Sequence, residues 1–108
     1  MSAAVLSDRQ LRRWYRDFNR RFFGGCLPSD ADVLYAPVDG AHGDALVESN
    51  GEFTVRINPA CAIDWRIVRM TLLHEMAHLK LWPYRAHGER FEKEMQRLAC
   101  AGAFKGLW

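Results

Sequence analysis

The sequence predicts an α+β fold, and three observations carry that expectation. An apolar stripe at helical spacing runs through residues 7–23, alternating segments flank an Asn-Gly dipeptide at 50–51, and a long apolar segment stops at Pro83. The order that follows is an N-terminal helix, a small three-stranded sheet containing an antiparallel hairpin, a buried helix and a C-terminal helix.

Each element has a local cause. Ser7 followed by Gln10 is a capping-box pattern, so the first helix should start there and reach about Phe23. Leu11, Trp14, Tyr15, Phe18 and Phe22 form its apolar stripe, and Gly24-Gly25 supplies the left-handed exit. Ala31 to Ala36 reads as a short strand closed by Pro37. Ala45 to Glu48 and Glu52 to Asn58 flank Asn50-Gly51, a pair favoured in tight hairpin turns. Within the second of these, Phe53, Val55 and Ile57 alternate with Thr54 and Arg56, so one face is buried. A second helix should start near Asp64 and end at Leu81 or Trp82, because the residue before proline is pushed out of helical geometry. It is apolar nearly all round, which marks a central, buried helix. The last helix should run from about Gly88 to Ala101, with Phe91, Met95 and Leu98 inward.

Composition bounds the function classes. The 108 residues are 49% apolar and 26% charged, with 6 Phe, 4 Trp and 3 Tyr, which suits one folded domain over 1–108. No apolar run approaches the ~20 residues that cross a bilayer, and the first residues lack the pattern of a secretory signal. Cys26, Cys61 and Cys100 are odd in number and widely spaced, against a disulfide framework or cysteine zinc knuckle. They are expected to be small buried hydrophobes in a reducing setting, cytoplasmic or at the nucleoid. Net charge is +2 but uneven: six Arg against two Asp in residues 1–24, one Arg against seven acids in 25–64, and eight basic groups against four Glu in 65–108.

The buried helix contains His74-Glu75-Met76-Ala77-His78, a His-Glu-x-x-His motif. Residues four apart share a helix face, about 6 Å apart, so two imidazoles can address one ion. Imidazole nitrogens suit Zn²⁺, and Glu75 at the edge of that face can serve as general base toward water at the metal. Burying these groups among Leu, Met and Ala without partners would cost several kcal/mol, which disfavours a merely decorative role. A hydrolytic zinc needs a third protein ligand. His87 lies nine residues past His78, beyond reach on a continuous helix, but the break at Pro83 can swing it back, with Gly88 giving backbone freedom. Glu89, Glu92 or Glu94 is the alternative third ligand.

Leu72-Leu73-His74-Glu75-Met76-Ala77-His78 followed by His87-Gly88-Glu89-Arg90-Phe91 resembles the SprT-like (Spartan/SprT) zinc metallopeptidase domain. Phe18-Asn19-Arg20-Arg21-Phe22-Phe23-Gly24-Gly25-Cys26-Leu27-Pro28 is similar to that family's opening helix and its exit, and Ile57-Asn58-Pro59 to its approach to the active-site helix. The resemblance covers nearly the whole chain. It implies a zincin-like fold, one Zn²⁺ held by His74, His78 and His87, catalytic Glu75, and peptide-bond hydrolysis. The family includes proteases acting on proteins crosslinked to DNA.

Arg9, Arg13, Arg16 and Arg20 fall at i, i+4, i+7 and i+11, opposite the apolar stripe of the first helix. Such a ridge can track a DNA backbone without sequence preference, or be a plain solvated face. Tyr84 borders the site and is the candidate oxyanion stabiliser, while His42 reads as a turn residue. The expected function is a zinc endopeptidase, its substrate peptide extended beside the strand Glu52 to Asn58. The alternative is a zinc-stabilised DNA- or protein-binding module without hydrolysis.

Overall fold

The first helix begins where the capping box stands. Ser7 Oγ accepts the Gln10 N–H at 3.1 Å and Gln10 Oε1 accepts the Ser7 N–H at 2.8 Å, which satisfies two donors that a helix start leaves open. In this computed structural model, which describes residues 7–84 and 86–107, α1 spans Asp8–Phe22. Its stripe of Leu11, Tyr15, Phe18 and Phe22 is buried. Gly24 and Gly25 turn the chain at φ +59° and +74°, in the left-handed region that side chains resist. Asn19, buried on α1, then holds the returning loop. Its amide donates to Leu27 O at 2.9 Å and accepts the Leu27 N–H at 3.1 Å, while Tyr15 Oη donates to Pro28 O at 2.6 Å.

Three strands follow: β1 (Asp32–Tyr35), β2 (Gly43–Val47) and β3 (Phe53–Ile57). Their spatial order is β1-β3-β2, with β3 parallel to β1 and antiparallel to β2, so the sheet is mixed. The substrate edge expected at Glu52 to Asn58 is therefore corrected. The strand with the most deeply buried alternation, Val55 and Ile57 at full burial, takes the centre, and both its edges are paired. The hairpin turn is also longer than a two-residue one. Glu48 N–H donates to Glu52 O at 2.8 Å across a three-residue loop, and only Gly51 takes positive φ (+85°).

Asn58 organises the exit from β3. Its side chain accepts from Ala60 N–H at 3.1 Å and donates to Val38 O and Ala41 O at 3.0 and 3.2 Å. A 3-10 turn, Pro59–Ile63, leads to Asp64, whose carboxylate caps the next helix by accepting the Arg66 N–H at 2.9 Å. That helix, α2 (Trp65–Leu81), rests on β2 and β3, while α1 covers β1 and α3 (Glu89–Cys100) packs along α2. Ala103, Phe104 and Leu107 close the core after α3. All three thiols are free, but only Cys61 is buried. Cys26 and Cys100 are exposed, the first in the turn leaving α1 and the second at the end of α3. Among the described residues no helix is long and apolar enough to cross a membrane.

Glu94 fastens α3 to α2. Only 6% exposed, it accepts from Lys80 Nζ at 2.8 Å and from Arg97 Nε and Nη2 at 2.9 and 2.6 Å. Burial alone would raise its carboxyl, but the hydrogen bonds from Arg97 and Lys80 outweigh burial and hold it below the usual 4.5. A carboxylate depressed in the folded state stabilises above its unfolded pKa and loses that contribution as pH falls through the folded one. Glu94→Gln should thus cost about 1–3 kcal/mol at pH 7. In urea titrations the gap to wild type should narrow as pH drops below about 4.5; a gap independent of pH would refute the ionic role.

Candidate metal centre

The site is built on the middle of α2. Leu72, Leu73, Met76 and Ala77 face the core at full burial, which turns His74 and His78, one helical turn apart, toward a cleft of about 510 Å³. Pro83 follows the last turn of α2, and the chain returns through residues 86–88 to start α3 at Glu89. This return brings His87 onto the pair. The Nε2 atoms stand 3.3 Å (His74–His78), 2.9 Å (His78–His87) and 3.3 Å (His74–His87) apart.

Three ring nitrogens meeting at one point cannot satisfy one another, since a neutral imidazole has one N–H to give. A cation at the centre can take all three lone pairs, and among the described residues this is the group able to hold a metal ion. Burial, then the charge of His87, lowers the His74 pKa; burial and the His74 and His87 charges push His78 down to about 4. Both rings are thus neutral near pH 7, the ligating form. The acidic residues of α3 are engaged elsewhere or exposed: Glu94 with Lys80 and Arg97, Glu89 with Lys93 at 3.0 Å, and Glu92 in solvent.

Glu75 lies beside the cluster, lining the same cleft and 6% exposed. Burial, with a smaller contribution from the Asp44 charge, pushes its carboxyl up to about 7. Asp44 is in turn held by Arg56 through a two-point ion pair, Nε to Oδ1 at 2.8 Å and Nη2 to Oδ2. Tyr84 also lines the cleft, with the Arg90 guanidinium 3.8 Å from its ring centroid. Arg9, Arg13, Arg16 and Arg20 are exposed on α1. They stand on the exposed face of the helix that packs on β1, the strand at the opposite edge of the sheet from β2, and Arg20 shares Asp17 with Arg21.

The sequence profile of the SprT-like family matches residues 11–106. The chain belongs to the SprT-like family. No curated protein and no solved structure gives a significant match. SprT-like membership and the histidine cluster together are consistent with a metallopeptidase-like domain.

Two residues of this SprT-like site exceed what sequence reasoning gave them. Phe91, which the sequence presents as inward-facing and as the end of the His87–Phe91 resemblance, contacts all three imidazoles with its ring. It stacks on His78 at 4.5 Å and 22°, and meets His74 and His87 edge-on at 4.9 and 4.8 Å. Gly43 carries no signal in the sequence that marks it as part of the site. A Cβ there would sit 2.6 Å from Arg56 O and 2.9 Å from Thr71 Cγ2, so only glycine lets β2 press against α2 one turn before His74. Gly88, to which backbone freedom was ascribed, needs none: its φ is −88° and a Cβ would meet nothing within 4 Å.

Removing the Phe91 ring should loosen all three histidines at once. Phe91→Ala should lower stability by about 3–5 kcal/mol and reduce metal content. Phe91→Leu should recover much of the stability by restoring apolar volume, but less of the metal affinity. Thermal melts paired with metal analysis decide it, and an alanine variant retaining full metal affinity would refute the wedge.

Proposed function

We propose that this SprT-like chain is a zinc-dependent endopeptidase. The observation that carries the reading is the convergence of three Nε2 atoms beside a buried glutamate. Tetrahedral coordination at Zn–N lengths of ~2.0–2.1 Å would space its nitrogens about 3.3 Å apart, close to the separations found. His74, His78 and His87 would hold the ion. A bound zinc would act as a Lewis acid, polarising the scissile carbonyl and acidifying the attacking water.

The remaining chemistry belongs to the chain. Glu75 accepts the proton of the attacking water and returns it to the leaving amine, a task suited to a carboxyl poised near neutrality. We assign the Tyr84 hydroxyl to the oxygen that gains charge. The peptide adds to β2, the free edge along the cleft. Asn58 N–H donates to His42 O and Glu48 N–H to Glu52 O, so the alternation of an antiparallel pair turns the backbone groups of Gly43, Ala45 and Val47 outward. The free thiols support a reducing location, cytoplasmic or at the nucleoid.

Glu75→Gln preserves size and hydrogen-bonding reach but removes the proton acceptor. Zinc content and melting temperature should survive, while peptide hydrolysis falls by ~10²–10⁴-fold. Tyr84→Phe should lower kcat with little change in KM. His87→Ala should lose zinc, thermal stability and activity together. Undiminished cleavage by the glutamine variant would sink the mechanism, and a zinc-replete protein hydrolysing no peptide would favour a structural binding module.

For partners we propose protein substrates, including proteins attached to DNA, with the α1 ridge making nonspecific backbone contacts. Arg9, Arg13 and Arg16 support this by their shared exposed face, whereas Arg20 is partly neutralised by Asp17. Changing those three to Ala should weaken duplex binding and flatten its salt dependence by roughly one unit of slope per lost phosphate contact. Unaltered anisotropy titrations would return the ridge to a solvated face.

A further inference from the structure

The cleft is lined by two kinds of side chain. The imidazoles and Tyr84 are one; the other, taken together as the apolar wall, comes from four parts of the fold: Leu46 of β2, Met70 of α2, Met95 of α3, and Phe104 after it. Among the described residues, five large apolar side chains are more than a third exposed, and Leu46, Met70 and Tyr84 of these line this cleft. Leu46 and Met70 are 37% and 38% exposed, so the wall presents real apolar area to whatever enters.

Charge narrows the occupant. Among the described residues lining the cleft there is no Lys or Arg, and the carboxylates are Glu75 and Asp44, the latter already held by Arg56. An acidic side chain entering here would meet no cationic side chain in the lining, and any charge set against the apolar residues would be desolvated. Met70 stands four residues before His74, one turn along the same α2 face, so the wall adjoins the metal centre directly. Two methionines among its four side chains make it adaptable rather than shaped for one residue.

We propose that this wall is a specificity subsite that takes a large uncharged apolar side chain, aliphatic or aromatic, from the substrate residue flanking the scissile bond. The assignment rests on the endopeptidase reading and narrows its substrates to segments with such a residue at the cut. Protein exposing its own apolar interior, through unfolding or damage, meets that description; a charged, solvated loop does not.

The test separates the two readings. Zinc-loaded Glu75→Gln protein is titrated with labelled peptides identical except for Leu, Phe, Glu or Lys at the central position, with binding read by anisotropy. The Leu and Phe peptides should bind at least about tenfold more tightly than the charged ones. Adding Leu46→Lys, a change an edge strand tolerates, should abolish that preference and favour the Glu peptide. In parallel, wild-type protein digests a random peptide library, and the sequenced cuts should be enriched in large apolar residues at one flanking position. Equal binding of all four peptides, or cuts without apolar enrichment, overturns the subsite while leaving the peptidase standing. Apolar-selective binding without any wild-type cleavage would uphold the subsite and overturn the peptidase.

Discussion

Everything at the cleft depends on α3 lying along α2 in one register. His87 is nine residues past His78, and no local rule of helix geometry brings the two together. Two contacts, three residues apart and therefore on neighbouring parts of one α3 face, impose the docking. Phe91 wedges among the imidazoles, and Glu94 lies between Lys80 and Arg97. Lys80 is two residues beyond His78, so the ion cluster and the histidine cluster are locked to the same stretch of α2. Sliding α3 by one turn would strand a buried carboxylate and pull the wedge from between the rings.

That docking also sets the electrostatics. Helix α2 carries Leu72, Leu73, Met76 and Ala77 into the core and leaves His74, Glu75 and His78 interleaved with them. Desolvation then acts on both kinds of group in the useful direction: it keeps imidazoles neutral, with free lone pairs, and holds a carboxyl near its proton-exchange point. The core bears the cost. A site of this kind is a local weakness offset by the apolar packing beneath it, and α2, which carries the motif, is the most buried helix among the described residues.

What the sequence disclosed was what neighbours in the chain decide. The Ser7–Gln10 box, the glycine exit of α1, the Asp64 cap, the stop before Pro83 and the spacing of His74 and His78 are local events, and each is found in place. Contacts across the fold were illegible. The strand order β1-β3-β2 follows from burying Val55 and Ile57 on a central strand, which alternation alone cannot distinguish from an edge strand. Phe91 reads as a core aromatic that closes the His87–Phe91 resemblance, but nothing in the chain says that three rings converge on it. Glu94 looked like a rival ligand, because its partners lie 14 residues back on another helix and three residues on along its own.

Gly43 shows how such a distant contact reaches the chemistry. It abuts Thr71 of α2, while Met70, the adjacent residue, and Leu46, three places along β2, both line the cleft. The spacing of the β2 and α2 parts of that lining is therefore set where β2 backbone meets α2, not by the side chains that line the opening. A methyl group at 43 would stand 2.6 Å from a main-chain carbonyl, which cannot rotate aside as a flexible side chain would. The strand would have to move off the helix and take its free edge with it. The width of the cleft, the reach of that edge toward the histidines and the position of Asp44 beside Glu75 would shift together, because all three are carried by the same five residues of β2.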